Sequence, residues 1–305
     1  MSDAASLGGD RPGRRTRIWL DAARPRTLPA AFVPVLVGTA ASANAGAWRP
    51  ETALLALASM LLLQVGTNFL NDWGDARRGA DGEDRIGPIR AVQSGLLSRE
   101  AMLGGALVAF ASACAIGLLL VARGGWPILV AGLIGLLAGA GYTAGPYPFA
   151  YHALGEVVVF VAFGPLAVCA TEWLQRGAVS AVGAIASVAV GLLASAILVV
   201  NNLRDIESDR RAGKYTIAVA LGAPATRFVY VGLLGAAACV PLLLASGGFT
   251  SGRVLISWGA FPLAVEPLRA VFGPPDGPTL NAALAATARF LLVFGGLLSL
   301  GLVAG

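Results

Sequence analysis

Nine stretches of roughly twenty apolar residues, near 27–46, 52–70, 101–121, 127–145, 153–171, 179–200, 226–246, 253–271 and 281–303, account for most of this 305-residue chain. A helix needs about 20 such residues to cross the hydrocarbon core of a bilayer. With 56% hydrophobic and only 13% charged residues, and a mean hydropathy of +0.74, a water-soluble globule is excluded. The expected fold is all-α, a polytopic membrane bundle of about nine transmembrane helices. Forty glycines fit that expectation, because small residues let membrane helices approach closely.

The three cysteines, Cys114, Cys169 and Cys239, all fall inside expected spans, lack metal-ligand spacing and read as small apolar residues. Residues 1–16 are polar and lack the apolar core of a cleavable signal, so they are expected to form a disordered cytoplasmic lead. Residues 17–305 then form a single transmembrane domain. The net charge of +5 does not point to nucleic acid, since the basic residues flank the spans without interleaved aromatics. Their distribution follows topology instead. Six lie before the first span, five in 71–100 and five in 201–227, against four in the alternate loops, namely Arg49, Arg123, Arg176 and Arg253. Positive charge marks cytoplasmic loops, which puts the N-terminus inside and the C-terminus outside, in a membrane expected to be a bacterial plasma membrane.

Two polar rows interrupt the apolar pattern. Asn71 precedes Asp75 by four residues in NDWGDARRGAD, and Asn201 precedes Asp205 by four in NNLRDIESD, with Asp209 one turn further on. Four-residue spacing stacks side chains on one helix face. Carboxylates at the ends of membrane spans are costly, so two matching rows on the cytoplasmic side point to function. Hard divalent cations such as Mg²⁺ take oxygen ligands and often join one or two carboxylates to a substrate phosphate. Asn71, Asp75, Asp205 and Asp209 supply such ligands, and Arg77, Arg78, Arg90, Arg204 and Lys214 lie close by in sequence. Acids beside cations suit a polyanion whose departing charge must be neutralised, and a diphosphate is the best match.

Four segments carry a family resemblance: ARPRTLPAAFVPVLVG (23–38), NDWGDARRGADGEDRIGPIRAVQSGLLS (71–98), YTAGPYPFAYHALGE (142–156) and NNLRDIESDRRAGKYTIAVALG (201–222). With them the chain resembles the UbiA-type intramembrane prenyltransferases, and within these the branch that acts on 1,4-dihydroxy-2-naphthoate. The resemblance implies nine helices around a central cavity with both acidic motifs over its cytoplasmic mouth. It implies Mg²⁺ as cofactor, and polyprenyl diphosphate and 1,4-dihydroxy-2-naphthoate as substrates, the prenyl tail running into membrane lipid. Asp72, Asp75, Asp205 and Asp209 are then the catalytic acids. Where the family motif ends in Asp this chain has Gly79, and Asp81 becomes a substitute metal ligand beside Asn71, Asp75, Asp205 and Asp209. Of Arg24 and Arg26, Arg26 is expected to reach the diphosphate, together with Arg78, Arg90, Tyr142 and Lys214.

His152, the sole histidine, is expected to be structural, and Glu156 to orient either a cation or an acceptor hydroxyl. Other acceptors, such as 4-hydroxybenzoate, homogentisate, a chlorophyll precursor or haem, stay open at this level. Acids and bases gathered at one membrane face, rather than the midplane, disfavour an ion-coupled transporter. The wide separation of the two rows disfavours a CDP-alcohol phosphotransferase, whose acids lie in one continuous motif. Prenyl length and oligomeric state are not encoded in any of these motifs.

Overall fold

The computed structural model describes residues 12–78, 87, 90–274 and 276–305. Within them the chain is all-helical: α1 (Pro12–Ala23), α2 (Pro29–Asn44), α3 (Pro50–Arg78), α4 (Arg99–Gly124), α5 (Trp126–Gly141), α6 (Gly155–Val161), α7 (Ala167–Arg176), α8 (Ala181–Arg204), α9 (Ile206–Arg211), α10 (Ile217–Ser246), α11 (Val265–Phe272) and α12 (Gly277–Ala304). Each of the nine apolar segments corresponds to a helix or a run of joined helices. Seven are long and apolar enough to cross a membrane alone; an eighth forms if α2 is joined to α1 and the following turn across a 52° bend. α5 has only 16 residues, about 24 Å at 1.5 Å per residue.

α1 begins at Pro12, so residues 12–16 are helical and not the unstructured lead expected of them. The cause is amphipathicity: Ile18, Trp19, Ala22 and Ala23 pack onto Phe69, Leu70 and Met102, while Arg14, Arg15 and Arg17 stay exposed.

Helices α8 and α12 form the buried centre, whereas α3 and α4 leave most of their apolar residues outward. Leu107, Val108, Leu118 and Leu119 of α4 are all more than half exposed, a surface that only lipid solvates well. Exposed Trp48 and Phe249, in turns, and Trp126, at the start of α5, sit at the same end of the bundle, as an interfacial aromatic belt would. The acidic rows occupy the opposite end.

The sixth-to-seventh helix run contains a π-turn at Ala162–Leu166 around Pro165, which has no N–H to continue the α pattern. Gly164 and Gly191 press against α8 and α6 so closely that a Cβ on Gly164 would lie 2.8 Å from Gly191 Cα, and one on Gly191 would lie 2.6 Å from the Phe160 carbonyl. This tight seam swings Phe163 and Leu166 into the interior, where they line a cavity. Beyond it, Gly252–Ala264 winds as a 3₁₀ helix and packs along α12.

Candidate active site

A cavity of ≈ 450 Å³ runs inward from the end carrying the acidic rows. Its walls are apolar, with Met60, Leu63, Leu136, Phe163 and Leu198 among them. Its mouth is polar: Arg24, Asn71, Asp75, Arg90, Tyr142, Asn201, Asn202 and Lys214 all face it.

The first row sits on the last turns of α3, and its members take different partners. Asp75 accepts from Arg90 Nη2 at 2.7 Å through one oxygen and from the Tyr151 hydroxyl at 3.1 Å through the other. Asp72 accepts from the backbone N–H groups of Ala91 at 3.0 Å and Val92 at 3.4 Å. It therefore anchors the turn that presents Arg90. Asn71 accepts from Thr143 Oγ1 at 2.6 Å, and its amide oxygen keeps a second lone pair. Asp81 lies outside the described residues.

The second row closes α8 and opens α9. Arg204 grips Asp205 with Nε on Oδ1 at 2.8 Å and Nη2 on Oδ2 at 2.6 Å, and reaches Asn281 on α12 at 2.7 Å. Asn201 accepts from Arg204 at 2.9 Å. Asp209 meets Lys214 Nζ at 3.4 Å through Oδ1, while its Oδ2 is buried without a hydrogen-bond partner. Burial pushes the Asp209 carboxyl up to about 6, against the pull of Lys214 and with a further push from Asp205 and Asp75. Burial would lower Lys214, but Asp75, Asp209 and Asp205 outweigh it and hold the ammonium above its usual range. Lys214 pairs with Asp209 and lies beside the Tyr151 ring, whose hydroxyl bonds Asp75, so the two rows face a common space.

The loop between α5 and α6 shapes the remaining edge. Ala153 N donates to Tyr215 O at 2.6 Å and Tyr215 N to Tyr151 O at 3.3 Å, a short bridge that brings Tyr151 and Lys214 together. Arg78 stacks over the Tyr151 ring at 4.8 Å and Lys214 lies 5.9 Å from its centroid. Burial next to Asp75 raises the Tyr151 phenol above its usual range, so it stays a hydrogen-bond donor. His152 is exposed, stacked on Tyr147, and within 2.8 Å of the Pro148 carbonyl, away from the cavity.

Of the two arginines around Pro25, the structure places Arg24 and not Arg26 on the cavity wall. Arg26 is exposed and off the cavity wall; Arg24 lines it, with a buried Nη2 that has no partner. Arg24 has φ +54 and ψ +66, because Pro25 bars it from the right-handed helical region and Thr27 fixes its carbonyl through both N–H and Oγ1. Asn68 holds the preceding carbonyl of Ala23 at 2.9 Å. This turn points the guanidinium inward. Arg78 also lies off the wall, exposed and donating to the Gly145 carbonyl at 3.1 Å. Tyr151, Thr143 and Asn202 join this cluster without having been expected there, whereas Arg204 was among the cations the sequence set beside the acidic rows.

Among the described residues no three acidic, His or Cys side chains form a ready-made cation cage. The donors nonetheless suit a hard cation bound jointly with a phosphate, which needs only one or two carboxylates, and the orphaned Asp209 oxygen is one such donor.

Residues 31–294 match the model of the UbiA prenyltransferase family. The chain belongs to that family. It is 40% identical over 280 residues to a 1,4-dihydroxy-2-naphthoate octaprenyltransferase of Mycobacterium tuberculosis, covering 90% of this chain and 93% of the relative. It is 37% identical over 300 residues to the 1,4-dihydroxy-2-naphthoate octaprenyltransferase of Escherichia coli K12, covering 94% and 96%. In fold it is similar to a UbiA homolog from Archaeoglobus fulgidus bound to GPP and Mg²⁺, with a TM-score of 0.62 at 17% identity over 92% of this chain and 99% of the other. A UbiA homolog from Aeropyrum pernix, in its apo structure, gives 0.64 at 15% identity over 91% and 96%.

Proposed function

We propose that this UbiA-family protein transfers a polyprenyl chain from polyprenyl diphosphate to 1,4-dihydroxy-2-naphthoate, releasing diphosphate and CO₂ and yielding demethylmenaquinol. The observation that carries the reading is the gathering of Asn71, Asp75 and Asn201 with Arg24, Arg90 and Lys214 at the mouth of one apolar cavity, with Asp209 paired to Lys214 beside it. High identity to naphthoate octaprenyltransferases over nearly the whole chain supports the acceptor.

In this reading Arg24, Arg90 and Lys214 bind the diphosphate and offset its charge as the allylic C–O bond breaks. Asn71, Asp75, Asp205 and Asp209 would hold Mg²⁺, with Asp81 as a further candidate ligand. When bound, that ion supplies Lewis-acid neutralisation of the phosphate oxygens. Asp72 keeps Arg90 in place through the Ala91 and Val92 amides. The apolar wall excludes water from the electron-deficient allylic carbon. The electron-rich ring attacks that carbon, diphosphate leaves with the C–O electron pair, and the carboxyl at the attacked ring position departs as CO₂, returning its electrons to the ring. No covalent enzyme nucleophile is required.

The excess of basic residues at the motif end supports a cytoplasmic placement for the N-terminus and both rows, in a bacterial plasma membrane, with the C-terminus outside. Membranes containing the protein, given labelled polyprenyl diphosphate and a panel of aromatic acceptors, test the reading: the naphthoate is the preferred acceptor. Transfer to 4-hydroxybenzoate alone would replace the substrate while keeping the chemistry.

A further inference from the structure

Adjacent asparagines at the end of α8 serve different neighbours. Asn201 joins Arg204 and Asp205. Asn202, only 3% exposed, turns to α6 and donates its Nδ2 to Glu156 Oε1 at 2.8 Å. A carboxylate oxygen accepts and does not donate, so the amide nitrogen is committed to Glu156 and the carbonyl oxygen is the end left for the cavity that Asn202 lines. One residue heptad earlier on the same face of α8, Ser195 Oγ donates to the Glu156 carbonyl at 2.9 Å, fixing α6 to α8 at a second point. The other Glu156 oxygen, Oε2, is buried with no partner. Such an acceptor is expensive to maintain in a fold and is concentrated where function needs it.

Tyr142 completes this edge. Its hydroxyl lies 3.1 Å from the place a Cβ on Gly155 would occupy, an approach to the start of α6 that glycine permits. No hydrogen bond within the described residues engages that hydroxyl or the Asn202 carbonyl, and both residues line the cavity. Around them the wall is apolar, with Val158, Val159 and Leu198. A prenyl tail has no use for hydrogen-bond acceptors. A diphosphate is repelled by a carbonyl backed by a carboxylate. A flat apolar ring with a hydroxyl on its edge satisfies both the wall and the two polar atoms.

We infer that Asn202 and Tyr142 form the subsite for a phenolic hydroxyl of the aromatic acceptor, with Glu156 as the positioning residue that fixes the Asn202 amide. This rests on the proposed prenyl transfer. It also moves Tyr142 from the diphosphate side to the acceptor side of the mouth.

The test pairs protein variants with acceptors that lack one hydroxyl. Full-length protein in lipid nanodiscs is assayed with 1,4-dihydroxy-2-naphthoate and with its 1-hydroxy and 4-hydroxy analogues, for wild type, Asn202→Leu and the near-isosteric Glu156→Gln. Wild type should prefer the dihydroxy acceptor over one analogue by at least about tenfold in kcat/KM, since a polar site penalises a missing hydroxyl. Both variants should narrow that preference to about threefold or less by raising the KM for the dihydroxy acceptor, while the KM for polyprenyl diphosphate stays within about twofold. An undiminished preference in Glu156→Gln, which keeps side-chain size but removes the charge and replaces one acceptor oxygen with an NH₂ donor, overturns the inference and leaves the prenyl-transfer reading intact. Wild-type protein that prenylates none of the three overturns the reading itself, and the subsite with it.

Discussion

Arg204 holds its sequence neighbour Asp205 through both carboxylate oxygens, at 2.8 and 2.6 Å, and extends the same guanidinium to Asn281 on α12. The pair is almost wholly buried, with the Arg204 side chain 2% exposed. The second acidic row is therefore tied to the bundle centre as well as to the cavity mouth. Breaking a buried pair strands the remaining charge, at a cost of about 3–5 kcal/mol. Arg204→Gln should lower the thermal unfolding midpoint of the detergent-solubilised protein and reduce turnover together. An unchanged midpoint would mean that the pair is solvated and contributes little.

Asp72 and Asp75 lie three residues apart on α3 yet differ in what they hold. Asp75→Asn should abolish turnover with the protein still folded and inserted. Asp72→Asn turns an amide donor onto the Ala91 or Val92 N–H and loosens the turn carrying Arg90. The expected result is a rise of roughly tenfold in the KM for polyprenyl diphosphate with a smaller change in kcat. Identical loss of kcat in both variants would place Asp72 among the reacting groups instead.

The two arginines around Pro25 offer a direct contrast. Arg24→Ala should raise the KM for polyprenyl diphosphate by at least about tenfold, because a charged hydrogen bond in a partly buried site is lost. Arg26→Ala, at an exposed position off the cavity wall, should stay within about twofold of wild type in steady-state kinetics. Reversed outcomes would mean that the loop before α2 turns over when substrate binds.

Sequence periodicity suffices for the spans and for the position of the two polar rows at helix ends, because both are local: apolar runs of membrane length and polar side chains four residues apart. What escaped it depends on tertiary contact. Arg24 and Arg26 are indistinguishable in composition, and only the left-handed turn at Arg24 separates them. Tyr151 sits in a loop without periodicity and reaches Asp75 because the backbone bridge to Tyr215 puts it there. Asp72 fits the motif as a catalytic acid, but its oxygens meet a turn about twenty residues away in the chain. Residues 12–16 look like a polar lead until their neighbours Ile18 and Trp19 find the α3–α4 surface.

The Gly164–Gly191 seam sets the position of the cavity wall. Gly191→Ala would bring a methyl to 2.6 Å from the Phe160 carbonyl, and overpacking of this kind costs about 1–3 kcal/mol. A lower unfolding midpoint, with KM values for both substrates altered, is the expected outcome in thermal and kinetic assays. Unaltered values would show that α6 shifts without disturbing the wall.

Acidic donors of the two rows, and above all the unpartnered Asp209 oxygen, repel a diphosphate unless a cation intervenes. Treatment with EDTA should remove activity, and Mg²⁺ or Mn²⁺ should restore it. Full turnover in excess chelator would exclude the metal assignment for these residues.

The proposed reaction couples prenyl transfer to decarboxylation of the same ring, and product stoichiometry reads that coupling. Purified protein is supplied with polyprenyl diphosphate and 1,4-dihydroxy-2-naphthoate labelled in its carboxyl carbon, and three products are counted: prenylated quinol, inorganic diphosphate and labelled CO₂. Equal amounts of all three are expected. Prenylated product that retains the labelled carboxyl, or diphosphate released with no prenylated ring, would contradict the coupling.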